Sequence, residues 1–120
     1  MLLNRADGDI ALVRTVFEDP GILDAIVGFH AQQAVEKSLK AVLSASEVRY
    51  ERTHALDYLI GLVETNGIDA PTEALAEAEA LTGWAVEFRY ETDGEPPLDR
   101  GAVLMLIDDI RNWAGSVVEG

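Results

Sequence analysis

Apolar positions recur at helical spacing in five separate stretches of this chain, and the two-residue alternation of a strand is nearly absent. The first stretch runs from about Asn4 to Glu18, with Ile10, Val13, Val16 and Phe17 on one side. Asp19-Pro20-Gly21 interrupts it, and Asp19 is placed to cap a second helix that has Pro20 in its first turn and continues to about Ala45. A polar connection from Ser46 to Arg52 follows. Thr53 is the expected N-cap of the third helix, where Leu56, Leu59, Ile60 and Val63 make the stripe and Asn66-Gly67 the stop. Asp69, Pro71 and Glu73 are start signals for the fourth helix, whose stripe reads Ala74, Ala78, Leu81, Ala85 and Phe88. Thr92 to Pro97 is the clearest loop. Asp99 can cap the fifth helix, which carries Val103, Leu106, Ile107, Ile110, Trp113, Ala114 and Val117 on one face. The second and fifth helices are the longest. Connections this short favour antiparallel neighbours, so the pattern predicts an all-α, up-and-down bundle of about five helices in a single domain over residues 1–120.

One helix departs from simple packing. In the second, His30, Gln33, Lys37 and Lys40 recur at helical spacing and form a polar stripe, while Ala31, Ala34, Val35, Ser38, Ala41 and Val42 take the opposite arc. Lys37 and Lys40 are the chain's only lysines, and His30 and His54 its only histidines. Gln33, Glu36 and Lys37 are expected to be largely buried, with Glu36 and Glu87 as candidate partners for the lysine charge. Small residues on the other side (Gly28, Ala31, Ala34, Ser38, Ala41) would let another helix approach closely, in the same chain or a second copy.

Composition narrows the chemistry. The hydrophobic fraction of 48% in 120 residues fits a folded globule with an ordinary core. There is no cysteine, which rules out disulfides, thiolate catalysis and cysteine-ligated metal. No apolar run is long enough for a bilayer, and acids stand where a secretory signal would carry basic residues, so a cytoplasmic location away from membranes is expected. The formal net charge of −13 opposes non-specific adsorption to nucleic acid. The balance reverses locally: Lys37, Lys40, Arg49 and Arg52 face only Glu47 and Glu51 between Lys37 and His54. An anionic ligand is expected there if anywhere; the plain alternative is a solvated basic face paired with the acidic remainder.

Few catalytic patterns fit. The two histidines stand far apart in sequence with no zinc spacing between them, glycine-rich phosphate loops and serine elbows are missing, and neither metal nor cofactor is expected. Arg49 and His54 have spacing suited to metal-independent RNA cleavage, the imidazole moving a proton and the guanidinium stabilising phosphorane charge. That pair straddles a loop and a helix start, where no rigid element is expected to hold it. Arg89-Tyr90 closes the fourth helix, where arginine suits the helix dipole and could also face the polar stripe.

These residues resemble the HEPN family (higher eukaryotes and prokaryotes nucleotide-binding). The hallmark F-H-x-Q-Q-A-x-E-K-x-L-K-A is matched from Phe29 to Ala41, an R-T-H-x-L element by Arg52, Thr53, His54 and Leu56, and an R-Y pair by Arg89 and Tyr90. The resemblance implies a helical bundle, commonly a homodimer, and a minimal nucleotidyltransferase partner in a toxin–antitoxin-like pair. Some members are ribonucleases with R-x(4–6)-H on a later helix. This chain departs there: no histidine follows Arg89, and Glu91 replaces the proline usual after R-Y. Two readings result. One is a non-catalytic module binding a nucleotide or other anion through His30, Gln33, Glu36, Lys37, Lys40, His54, Arg89 and Tyr90. The other is a metal-independent ribonuclease using Arg49 and His54.

Overall fold

The computed structural model describes residues 1–84 and 98–120, with the backbone alone at Trp84. The expectations placed on Ala85, Glu87, Phe88, Arg89, Tyr90, Glu91 and the Thr92–Pro97 loop lie outside the described residues. Within them every regular element is helical: α1 (Leu2–Val16), α2 (Asp24–Ala45), α3 (Leu56–Thr65), α4 (Thr72–Ala78) with a 3-10 continuation (Glu79–Trp84), and α5 (Arg100–Glu119). The all-α bundle is as the periodicity predicts, and α2 and α5 are the longest helices.

α2 is the hub. It packs against α1, α5, α3 and the 3-10 segment, while α1 and α5 also pack on each other. The core is continuous from Ile10 and Val13 through Val27, Val35, Leu39 and Leu43 to Leu59, Val63, Ile107 and Ile110. The small residues Gly28, Ala31, Ala34, Ser38 and Ala41 are all buried within the chain, so intrachain packing already uses the face that would have received a second copy. Ser38 is fully buried and its Oγ has no hydrogen-bond partner among the described residues.

Helix starts differ from expectation, for a common reason. Asp19 does not cap α2; its Oδ1 accepts from Gly21 N at 2.8 Å, closing a turn, and the helix begins at Asp24 behind Leu23. Thr53 likewise spends its Oγ1 on Ala55 N at 2.9 Å, and α3 begins at Leu56. Short hydroxyl and carboxylate side chains compete with the helix by bonding two residues ahead. The first donor of α3, Leu56 N, goes to Thr82 Oγ1 at 3.2 Å, which ties the 3-10 segment to α3. Asp99 caps α5 as expected, accepting from Ala102 N at 3.1 Å. α4 is a short α-helix that tightens to 3-10, and its buried stripe is Leu75, Ala78 and Leu81, with Ala74 only half-buried. A three-residue spacing is what a 3-10 helix keeps on one side.

α5 is fastened to the α1–α2 turn by Arg100. Its Nε donates to Asp24 Oδ1 at 2.8 Å, Nη1 to Asp19 O at 3.0 Å, and Nη2 to Ile22 O. Asp24 Oδ2 also accepts from Leu98 N at 2.9 Å. One guanidinium thus satisfies turn carbonyls that would otherwise be half-buried orphans. Arg100→Leu is expected to cost about 2–3 kcal/mol, because a buried acceptor set loses its cation. A urea midpoint equal to that of wild type would refute this.

α2 and α3 end alike. Val48 N reaches back to Leu43 O at 2.8 Å and Ile68 N to Val63 O at 3.1 Å, around a residue of positive φ. That residue is Gly67 (φ 67) after α3 but Glu47 (φ 60) after α2. A side chain in the left-handed region costs about 1–2 kcal/mol, partly offset because glycine frees the unfolded chain. Glu47→Gly is therefore expected to stabilise the fold by about 0.5–1 kcal/mol, measured by chemical denaturation; a lower midpoint would refute it.

Candidate functional site

Two buried carboxylates organise the polar face of α2. Asp9, from α1, is 9% exposed, and Glu36, from α2, is 4% exposed. Asp9 Oδ1 bonds His30 Nδ1 at 2.9 Å, and its Oδ2 accepts from Lys37 Nζ at 2.6 Å. Glu36 Oε1 bonds His54 Nδ1 at 2.7 Å, and its Oε2 accepts from Lys40 Nζ at 3.1 Å. Gln32, fully buried, donates through Nε2 to both Glu36 Oε1 and His54 O, and its Oε1 accepts from Gln33 Nε2 at 2.7 Å. An ionised carboxylate only accepts, so each imidazole carries its proton on Nδ1 and leaves Nε2 as the outer edge. Neither Nε2 has a hydrogen-bond partner among the described residues. The His54 side chain is 56% exposed and that of His30 29%.

The structure thus brings together His30, Gln33, Glu36, Lys37, Lys40 and His54. It also corrects the sequence reading. Lys37 pairs with Asp9, not with Glu36, while its side chain is largely buried as expected, 21% exposed. His54 lies ahead of α3, outside its first turn. The segment carrying Arg49 and His54 is well anchored: Glu51 N donates to Tyr58 Oη at 3.0 Å, Tyr50 lies under Lys40 Nζ at 5.8 Å, and His54 is held to α2 through Glu36 and Gln32. Arg49 and Arg52 are exposed and have no ion pair among the described residues. Arg89 and Tyr90 lie outside them.

Asp9 and Gln32 are the residues sequence reasoning missed. Asp9 carried a signal, because it sits within the apolar stripe Ala6, Ile10 and Val13, where an acid needs a partner from another helix. Among the described residues no three His, Cys, Asp or Glu side chains converge as a metal site requires, and no helix is long and apolar enough to cross a membrane.

Burial alone would push the Glu36 carboxyl up. The hydrogen bonds from His54, Lys40 and Gln32, with the Lys40 charge, outweigh it and hold the group below the ordinary glutamate value. The folded pKa is thus lower than the unfolded one. The resulting stability is fully present above the unfolded value, about 4.3, and is lost as pH falls through the folded value. Glu36→Gln is expected to cost about 1–2 kcal/mol at pH 7 and to flatten the acid limb of the stability curve below about pH 5. Urea unfolding between pH 3 and 7 tests this, and an unchanged acid limb would count against it.

Neither a curated protein nor a solved structure matches the chain. A family model does, that of the HEPN domain, and a function related to nucleotides or RNA goes with it. The match runs over residues 1–116, nearly the whole sequence, and the chain belongs to the HEPN domain family.

Proposed function

We propose that this HEPN domain is a non-catalytic module that binds a nucleotide or other phosphate-bearing anion on the polar face of α2, working as a homodimer beside a minimal nucleotidyltransferase in a toxin–antitoxin-like pair. The observation that carries the ligand reading is the pair of imidazoles held through Nδ1 by buried carboxylates, each with an Nε2 that has no partner among the described residues. On protonation each Nε2–H donates to a phosphate oxygen. Lys37 and Lys40 are already neutralised by Asp9 and Glu36, so recognition relies on the imidazoles and on the exposed Arg49 and Arg52. The homodimer and the nucleotidyltransferase rest on the family resemblance.

Catalysis by one chain is disfavoured by geometry. His30 stands on α2, and His54 is tethered to Glu36, six positions further along; that is roughly 9 Å of helix axis. The two imidazoles answer to different carboxylates, and the net charge of −13 repels RNA. The ribonuclease reading keeps one specific support: Glu36 orients His54 as a carboxylate orients a general base.

The test is a calorimetric titration with ATP and with inorganic pyrophosphate, joined to a chelator-treated cleavage assay on total RNA. Binding is expected in wild type, weakened at least about tenfold in His54→Ala, with RNA left intact. Absence of binding in wild type would overturn the proposal. Cleavage lost in both His54→Ala and Arg49→Ala would replace it with the ribonuclease reading.

A further inference from the structure

The connection from α3 to α4 opens on Asn66-Gly67, the one place in this chain where an asparagine precedes glycine. The other asparagines, Asn4 and Asn112, precede Arg5 and Trp113 and lie inside α1 and α5. Asn66 is the C-cap of α3, and both it and Gly67 are exposed. Asparagine before glycine carries a chemistry of its own. The side-chain amide carbon is an electrophile, and the next backbone nitrogen can reach it by closing a five-membered ring. Glycine hinders that attack least and lets the backbone turn to it most freely. Around Gly67 the space is open, with no neighbouring atom within 4 Å of where a β-carbon would stand.

The native geometry holds this chemistry in check. A ψ of 8° at Asn66 turns the Gly67 nitrogen away from the Asn66 side chain. Gly67 N donates to Glu64 O at 3.1 Å, and Asn66 Nδ2 donates to Leu62 O at 2.8 Å. Ile68 N completes the cap on Val63 O at 3.1 Å. All three acceptors belong to the last turn of α3, so one local opening frees nucleophile and electrophile together. Helix ends open at the least cost of any part of a fold. Asp7-Gly8 is an internal contrast. Aspartate before glycine can close the same ring, but that pair sits inside α1, and Arg111 holds both oxygens of Asp7.

We infer that Asn66 is a self-modification site, at which the chain deamidates when the end of α3 opens. Gly67 N bonds to Asn66 Cγ and gives up its proton to solvent. The Cγ–Nδ2 bond breaks, and the amide nitrogen leaves as ammonia. The resulting succinimide takes up one water at either carbonyl. The products are aspartate and, with the backbone rerouted through Cγ, isoaspartate. Each sets a carboxylate at the negative end of the α3 dipole and removes the donor to Leu62 O. Isoaspartate also lengthens the backbone within the cap, which takes Gly67 N and Ile68 N out of register with their acceptors. Ile68 packs against the core, and Asp69 O, one residue on, accepts from Trp113 Nε1 at 2.9 Å. The change therefore reaches α5.

The test is peptide mapping by mass spectrometry after prolonged incubation at neutral pH and physiological temperature. It is run on folded wild type, on wild type in urea, and on folded Asn66→Gln. Folded wild type is expected to gain the asparagine-to-aspartate mass increment at Asn66 and at neither Asn4 nor Asn112, with isoaspartate detected by enzymatic methylation. Urea is expected to speed the conversion at least about tenfold, because it removes the opening step. The converted protein is expected to show a shifted Trp113 indole N–H signal that equally aged Asn66→Gln does not develop. Conversion of Asn4 or Asn112 ahead of Asn66, an Asn66 that stays intact in the folded protein, or equal rates with and without urea would overturn the inference. A Trp113 signal unchanged in fully converted protein would overturn the coupling to α5.

Discussion

Two carboxylates, Asp9 and Glu36, lie where water barely reaches them, and the mutual placement of α1, α2 and the α2–α3 connection follows from how they are neutralised. An ion taken from water into a protein interior costs several kcal/mol, which only a close counter-charge and satisfied oxygens repay. For Asp9 both oxygens are met from α2, at positions two helical turns apart, and this fixes the register of α1 along α2. For Glu36 the same demand draws in His54, ahead of α3, and so ties the end of the α2–α3 connection to α2. Apolar burial supplies most of the drive to fold but is indifferent to a small slide of one helix along another. The carboxylates are not, because either slide or rotation strands a buried charge.

α2 therefore performs two tasks on two arcs. Its alanine-rich arc admits neighbouring helices closely, and its polar arc carries every lysine in the chain. Ser38 sits on the packing arc with a hydroxyl that has no partner among the described residues. Such a group is a cost of about 1–3 kcal/mol left standing in the core. Nothing in the structure explains why serine rather than alanine stands there. At the other end of the bundle Arg100 does for α5 what the carboxylates do for α1: one multivalent side chain closes the α1–α2 turn and sets where α5 begins.

The helices were legible because their apolar stripes are long, and their period differs from that of a strand. The starts of α2 and α3 were not. Asp19 and Thr53 are good caps by type, but each can also close a turn two residues ahead, and the turn won both times. The α4 region reads as one α-helix because residues three and four apart are both apolar there, and the pattern does not distinguish the α-helix from its 3-10 continuation. At the site, the α2 residues could be assembled from periodicity alone, since one helix carries them. Asp9 could not, because its partners lie 21 and 28 positions away on another helix. The firmness of the Arg49–His54 segment was hidden for the same reason: it comes from Glu36, Gln32 and Lys40 on α2 and Tyr58 on α3, outside the segment itself.

Internal pairing also bears on the proposed anion binding. Because Asp9 and Glu36 neutralise Lys37 and Lys40, the lysines hardly offset the acidic field of the remaining chain, and the long-range potential stays negative. On the proposed reading a phosphate ligand would approach against repulsion and gain only at contact, from imidazole edges and exposed arginines within a few ångströms. Salt screens the long-range repulsion more than it screens contacts inside a half-buried face. A typical basic phosphate site is steered by attraction and weakened by salt; on the proposed reading this one would be selective by geometry and tolerant of salt. Moderate ionic strength therefore favours the short, directional contacts that Asp9 and Glu36 arrange, and bulk nucleic acid gains no compensating attraction from a surface that remains acidic.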